Sequence, residues 1–165
     1  MRSLKNHDIH VVNFEDFGLL AEEIYPRSLV LNKSNISGTS NSAFLDLNVS
    51  VIDGNFRIKV YNKTDDYDFR VITFPYLESN ILTSICYSVF FGEIMRYLRI
   101  STRLSDFEVR SRKLVDMLVQ RKYKQSQLAK QFVRVFLRYK RDAKKFSGGI
   151  VVSESVRRVV YNNSS

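Results

Sequence analysis

Apolar and polar positions alternate over residues 44–61. Leu45, Leu47, Val49 and Val51 take every second place against Asp46, Asn48 and Ser50, and beyond Asp53-Gly54 the alternation resumes with Phe56, Ile58 and Val60 against Arg57, Lys59 and Tyr61. A period of two predicts strands, and Asp-Gly between two such runs predicts a two-residue hairpin turn. One face of the ribbon is then apolar and the other polar and partly basic. A hairpin of this size is not stable by itself, so the helices downstream are its predicted cover.

Those helices follow from a change of period. Residues 81–100 are apolar nearly all round, with Asn80 as the predicted cap, which implies burial on several sides. Ser105 and Glu108 form an S-x-x-E capping box for a second helix, with Phe107, Leu114, Val115 and Leu118 inward and Arg110, Arg112 and Lys113 on its exposed side. Ser126 is the predicted cap of a third, whose inner face is Leu128, Phe132, Val135, Phe136 and Tyr139. Its outer face carries Lys130, Arg134, Arg138, Arg141 and Lys145, one stripe at i, i+4, i+8, i+11 and i+15. Upstream, residues 9–12 read as a strand and Asn13 as the cap of a helix. In that helix Phe17, Leu20, Ala21 and Ile24 recur at helical spacing until Pro26. A strand at 29–31 and a polar loop at 32–42 complete the approach to the hairpin, and Ser147-Gly148-Gly149 ends the third helix before a tail. The predicted class is α+β, a small antiparallel hairpin packed on a basic three-helix bundle. The predicted domains are 1–78, 79–146 and a tail at 147–165.

The net charge of +9 is concentrated. Residues 96–145 hold 16 Lys and Arg against 4 Asp and Glu, whereas residues 1–95 hold 8 against 12. Like charges at helical i, i+4 spacing repel by a few tenths of a kcal/mol per pair. A stripe that costs the helix stability is explained if something anionic lies against it, which points to phosphates. An acidic protein surface is the alternative partner, and would make this a partner-binding or structural protein. Cys86, the single cysteine, sits in an apolar run and reads as a small buried hydrophobe. The start of the chain lacks the apolar run of a signal peptide, so an intracellular, non-secreted protein is expected. The longest apolar stretch, 81–95, is broken by Thr83, Ser84, Ser88, Gly92 and Glu93, and no membrane span is predicted. Asp65, Asp66 and Asp68 invite a metal-nuclease reading, but they lack a flanking His or Glu and the calcium-loop spacing, and they read as a surface turn. His7 and His10 have no further His or Cys to complete a zinc set. No nucleophile elbow, phosphate-binding glycine loop or complete active site is present, and no cofactor is expected for this chain.

The order of these pieces resembles the C-terminal part of a retroelement reverse transcriptase, of the non-LTR or Penelope-like kind. The matching segments are Phe44-Leu45-Asp46-Leu47, the run from Tyr61 to Phe69 (YNKTDDYDF), the run from Phe74 to Ile81 (FPYLESNI), Arg96-Tyr97 and Asp106-Phe107. The resemblance covers nearly the whole chain. It implies that residues 9–31 are the end of a palm and that the hairpin, with Phe44, Leu45, Asp46, Leu47, Asp53 and Gly54, is a primer grip. Residues 81–145 would be a thumb, with Arg110, Lys113, Lys130, Arg134, Arg138, Arg141 and Lys145 on the backbone of an RNA or DNA primer-template duplex. By the same register the polymerase's Tyr-x-Asp-Asp turn falls on Lys5-Asn6-His7-Asp8, where only Asp8 keeps its carboxylate. Two-metal phosphoryl transfer needs carboxylates holding two ions about 4 Å apart. The resemblance therefore implies a truncated fragment without catalysis of its own, the Mg2+ chemistry belonging to an intact polymerase.

Overall fold

The computed structural model describes residues 41–69, 71–146 and 152–161, all within one compact unit, Ser40–Ser165. The elements expected at 9–12, 17–24 and 29–31, the residue Asp8, and the helix stop at Ser147-Gly148-Gly149 lie outside the described residues.

The described part is α+β, an antiparallel sheet followed by helices. The sheet is a meander of three strands in the order β1 (Asn41–Phe44), β2 (Leu47–Ile52) and β3 (Asn55–Val60). The Asp-Gly turn forms as predicted: Asp53 and Gly54 both take positive φ, 51° and 73°, and Ile52 pairs with Asn55. Positive φ at both turn residues matches the twist of the flanking strands, and glycine takes it without steric cost. The run expected as one strand from residue 44 is instead two. Leu45 and Asp46 form a second tight turn, with Phe44 paired to Leu47 and Leu45 at φ 51°. Left-handed backbone at a leucine costs roughly 1–2 kcal/mol. Two interactions of Asp46 offset part of that: its carbonyl accepts from Tyr61 N at 2.9 Å and its carboxylate holds Arg96 at 2.7 Å. Asn41 and Ser42, expected in a loop, belong to β1.

The register puts Leu47, Val49, Val51, Phe56, Ile58 and Val60 on one face. The helices do not cover that face along its length, since Val60 is buried while Phe56 near the Asp-Gly turn is 58% exposed. They meet the ribbon at its edge instead. The outer edge of β3 bonds Thr102, whose N donates to Ile58 O at 2.9 Å while its Oγ1 accepts from Ile58 N at 3.1 Å. From the polar face, Arg57 forms a two-pronged pair with Asp106 at 2.8 and 2.5 Å.

Three long helices follow: α1 (Thr83–Ile100), α2 (Leu104–Val119) and α3 (Gln125–Arg138). None begins with the predicted cap. The residues at the cap positions are Leu82, Arg103 and Lys124, and none of these donates or accepts a side-chain cap bond. Asn80 lies two residues before the cap position of α1, while Ser105 and Ser126 fall inside the first turns of α2 and α3. Glu108 turns inward rather than back to the helix start: it is buried and accepts from Ser155 Oγ at 2.8 Å. The inner faces are as the spacing requires, with Phe107, Leu114, Val115 and Leu118 on α2 and Leu128, Phe132, Val135 and Phe136 on α3 all buried. On α1 burial is one-sided, since Phe90, Ile94 and Leu98 are enclosed while Leu82 before it and Ile85 are exposed. The core centres on four rings: Phe107 lies 5.9, 5.8 and 6.1 Å from Phe132, Phe136 and Phe146.

The chain after α3 is not a tail. A four-residue turn, α4 (Lys140–Ala143), is followed by α5 (Val152–Val156) and a wide helical turn over Arg157–Tyr161, in which Val159 and Val160 are fully enclosed. Polar contacts fix this segment: Arg112 Nε donates to Arg158 O at 3.0 Å, Gln125 Nε2 donates to Val160 O at 3.3 Å, and Arg158 pairs with Glu108 at 3.3 Å. Sequence spacing missed it because five-residue pieces show no helical period. Among the described residues, no helix is long and apolar enough to cross a membrane.

Candidate nucleic-acid interface

Two groups of cations differ in their partners. Those that join the sheet and its following loop to the helices are paired. Arg57 is held by Asp106, Arg96 by Asp46 and Glu93, and Arg110 by Asp65 at 2.5 Å. Arg110, expected on an exposed face, is 9% exposed, and its guanidinium also lies over the Tyr97 ring at 5.7 Å. Its partner lies 45 positions earlier in the chain, a separation that helical spacing cannot reveal. Lys113 stands 3.9 Å from the same Asp65 carboxylate. The sequence-predicted pair Arg110 and Lys113 therefore serves Asp65 and does not extend the stripe on α3.

The second set is unpaired. Lys130, Arg134 and Arg138 are exposed on the outer face of α3 at the predicted i, i+4, i+8 spacing, and Arg141 is exposed on α4. Among the described residues none of these four enters an ion pair. Arg134 Nη1 reaches the Gln131 side chain at 3.3 Å, and the Arg138 guanidinium lies over the Tyr139 ring at 6.0 Å. The stripe is not one continuous helix. At Tyr139 the backbone leaves the helix, with φ −114° and ψ 42°, so Arg141 and Lys145 do not continue the register of Arg138. Lys145 is engaged elsewhere: Nζ donates to Arg99 O at 2.8 Å, at the end of α1, and burial there lowers its pKa from the ordinary lysine value.

Beside α3 a groove of about 790 Å³ runs along α1. Ser84 and Ser88 on α1, and Gln127 and Gln131 on α3, each pair spaced i, i+4, line it, and Lys122, Lys124, Arg134 and Arg138 outweigh the one carboxylate of the lining, Glu78. The uncharged donors were not singled out in the sequence, although Gln127 and Gln131 share the four-residue spacing that carries the stripe on to Arg134's side of the helix. Chemically, the groove and face offer hydrogen-bond donors beside fixed positive charge, which suits a sugar-phosphate strand.

The expected grip residues lie at both ends of the ribbon. Leu45-Asp46 and Asp53-Gly54 are turns at opposite ends of β2, roughly 20 Å apart at about 3.3 Å per strand residue. Phe44 and Leu47 pair at one end, and Asp53 and Gly54 are exposed at the other. The acidic turn is a short 3₁₀ segment, Lys63–Asp66, with Asn62 Oδ1 accepting from Thr64 N at 3.1 Å. Asp65 holds Arg110, and Asp66 accepts from the Tyr61 hydroxyl. Among the described residues, no three His, Cys, Asp or Glu side chains are grouped to hold a metal ion.

No protein-family model, no curated protein and no solved structure matches this chain.

Proposed function

We propose that this chain binds the sugar-phosphate backbone of an RNA or DNA duplex, without base specificity and without chemistry of its own, through the outer face of α3. The observation that carries this reading is the contrast between the two sets of cations. Near the sheet, arginines are neutralised by carboxylates brought from distant parts of the chain. Three cations on α3 and Arg141 on α4 are exposed with no acidic partner among the described residues. Residues four apart on a helix are about 6 Å apart along its axis, so Lys130, Arg134 and Arg138 form one line of positive charge that can follow the phosphates of a strand. The resemblance to a reverse-transcriptase thumb supports the same reading, with the ribbon as the adjoining grip.

Binding of a fluorescent primer-template duplex, followed by anisotropy against salt, tests it. Four phosphate contacts give a slope of log affinity against log salt of about −3.6. Affinity then falls by roughly two orders of magnitude between about 50 and 200 mM salt. Arg134→Glu with Arg138→Glu should abolish measurable binding at the higher salt. An affinity flat in salt, or unchanged in the double variant, refutes the assignment; a nuclease-resistant pull-down through the same residues would place an acidic protein there instead.

A further inference from the structure

Next to the basic face lies a second concavity, of about 580 Å³, built from Ser126, Ala129, Lys130, Val133 and Arg134 of α3 and from Tyr161. Tyr161 ends the wide helical turn whose preceding residues, Val159 and Val160, are fully enclosed, and it is itself 52% exposed. The backbone that carries it is fixed from two helices, by Arg112 on Arg158 O and Gln125 on Val160 O. Among the described residues its ring stacks on no other aromatic and lies under no cation, unlike Tyr139, which carries Arg99 at 5.0 Å. A large flat side chain is thus held in place with an open face. Two of the cations proposed to hold phosphates, Lys130 and Arg134, are in the same pocket wall.

We infer that this pocket takes one unpaired nucleobase of the bound strand, stacked on the Tyr161 ring against Ala129 and Val133, while Lys130 and Arg134 hold the flanking phosphates. This rests on the backbone-binding reading given above and adds to it a preference for a strand end or overhang over a blunt duplex. Each part has a chemical reason. Stacking on an aromatic ring is available to every base and so adds affinity without sequence preference. The flanking cations select a base attached to phosphate over a free apolar ligand.

The test compares three ligands of one duplex sequence: blunt, with a short single-stranded overhang, and with the same overhang made abasic. The wild-type chain should bind the base-bearing overhang at least about fivefold more tightly than the blunt duplex. The abasic overhang should lose most of that advantage while keeping its charge. Tyr161→Ala should remove the advantage and leave blunt-duplex affinity unchanged, and Tyr161→Phe should retain it. Thermal melts of both variants check that Val159 and Val160 remain packed. If the abasic overhang binds as well as the base-bearing one, or if Tyr161→Ala weakens all three ligands equally, the stacking site is refuted while the face on α3 stands. If the blunt duplex shows no salt-sensitive binding that depends on Arg134 and Arg138, both readings fall together.

Discussion

Replacing Phe107 by alanine removes the ring on which α2, α3 and the chain after α4 converge. That ring is 0% exposed and lies within 6.1 Å, centroid to centroid, of Phe132, Phe136 and Phe146. Phe→Ala in a packed core costs about 3–5 kcal/mol, through lost transfer energy and the cavity left behind. The upper half of that range applies because the three aromatic partners, two on α3 and one after α4, cannot all close on the hole. For a unit of this size each kcal/mol lowers the melting temperature by about 3–5 °C, so a fall of roughly 12–25 °C is expected. Leu137→Ala, at a position 60% exposed on α3, should cost less than about 0.5 kcal/mol and serves as the control. Urea titration monitored by circular dichroism gives both numbers, and the midpoint should move with little change in slope. A loss below about 1.5 kcal/mol for Phe107→Ala, or a loss for Leu137→Ala of the same size, would refute the placement of this cluster at the centre of the core. Phe132 and Phe136 sit on the back of the helix whose front carries Lys130, Arg134 and Arg138. Duplex affinity of the Phe107 variant should therefore track its folded fraction and not fall ahead of it.

The remaining predictions concern docking and pH. The Arg57–Asp106 pair is two-pronged, with the two side chains 30% and 11% exposed. A double-mutant cycle with Arg57→Met and Asp106→Asn should show coupling of about 1 kcal/mol after allowance for solvent screening. Coupling near zero would show that Thr102 alone holds the edge of β3. Burial raises the pKa of the Tyr97 and Tyr123 phenols above the ordinary value near 10. The unfolded chain therefore loses these protons first as pH rises. The stability they contribute is fully present below about pH 10 and is lost as pH climbs above it. Near-ultraviolet titration should show these two tyrosines ionising only together with unfolding, and Tyr123→Phe should move the alkaline transition upward. Reversible ionisation of both in the folded chain would contradict their burial.

What could be read from the sequence depended on whether its cause was local. The Asp53-Gly54 turn was legible because two adjacent residues prescribe it, and the inner faces of α2 and α3 because burial repeats at a fixed spacing. The turn at Leu45-Asp46 was not, since leucine gives no turn signal and the contacts that hold it come from Tyr61 and Arg96. The caps failed for a related reason. Asn80, Ser105 and Ser126 are residues that favour helix starts, but packing of Phe90, Phe107 and Phe132 decides where each helix lies, and its first residue follows from that. Arg110 was placed on the surface because it is charged, and its partner Asp65 cannot be inferred from spacing. Of the candidate face, the three cations on α3 were visible as a period. Arg141, after the break at Tyr139, and Tyr161, carried by a segment without a helical period, needed the fold.

The ribbon and the bundle are joined by different forces. Of the apolar residues in β2 and β3, Val60 alone is buried, while three ion pairs, at Arg57, Arg96 and Arg110, tie the sheet and its following loop to the helices. Contacts between rings are nearly indifferent to salt, whereas partly exposed charges are screened within about 8–10 Å at ordinary ionic strength. Thr102 adds neutral hydrogen bonds to the join, but the ion-paired part of the ribbon's attachment weakens with ionic strength while the four-ring core does not. The same variable acts on the proposed phosphate contacts of α3, so low salt favours both the attachment of the ribbon and the proposed binding.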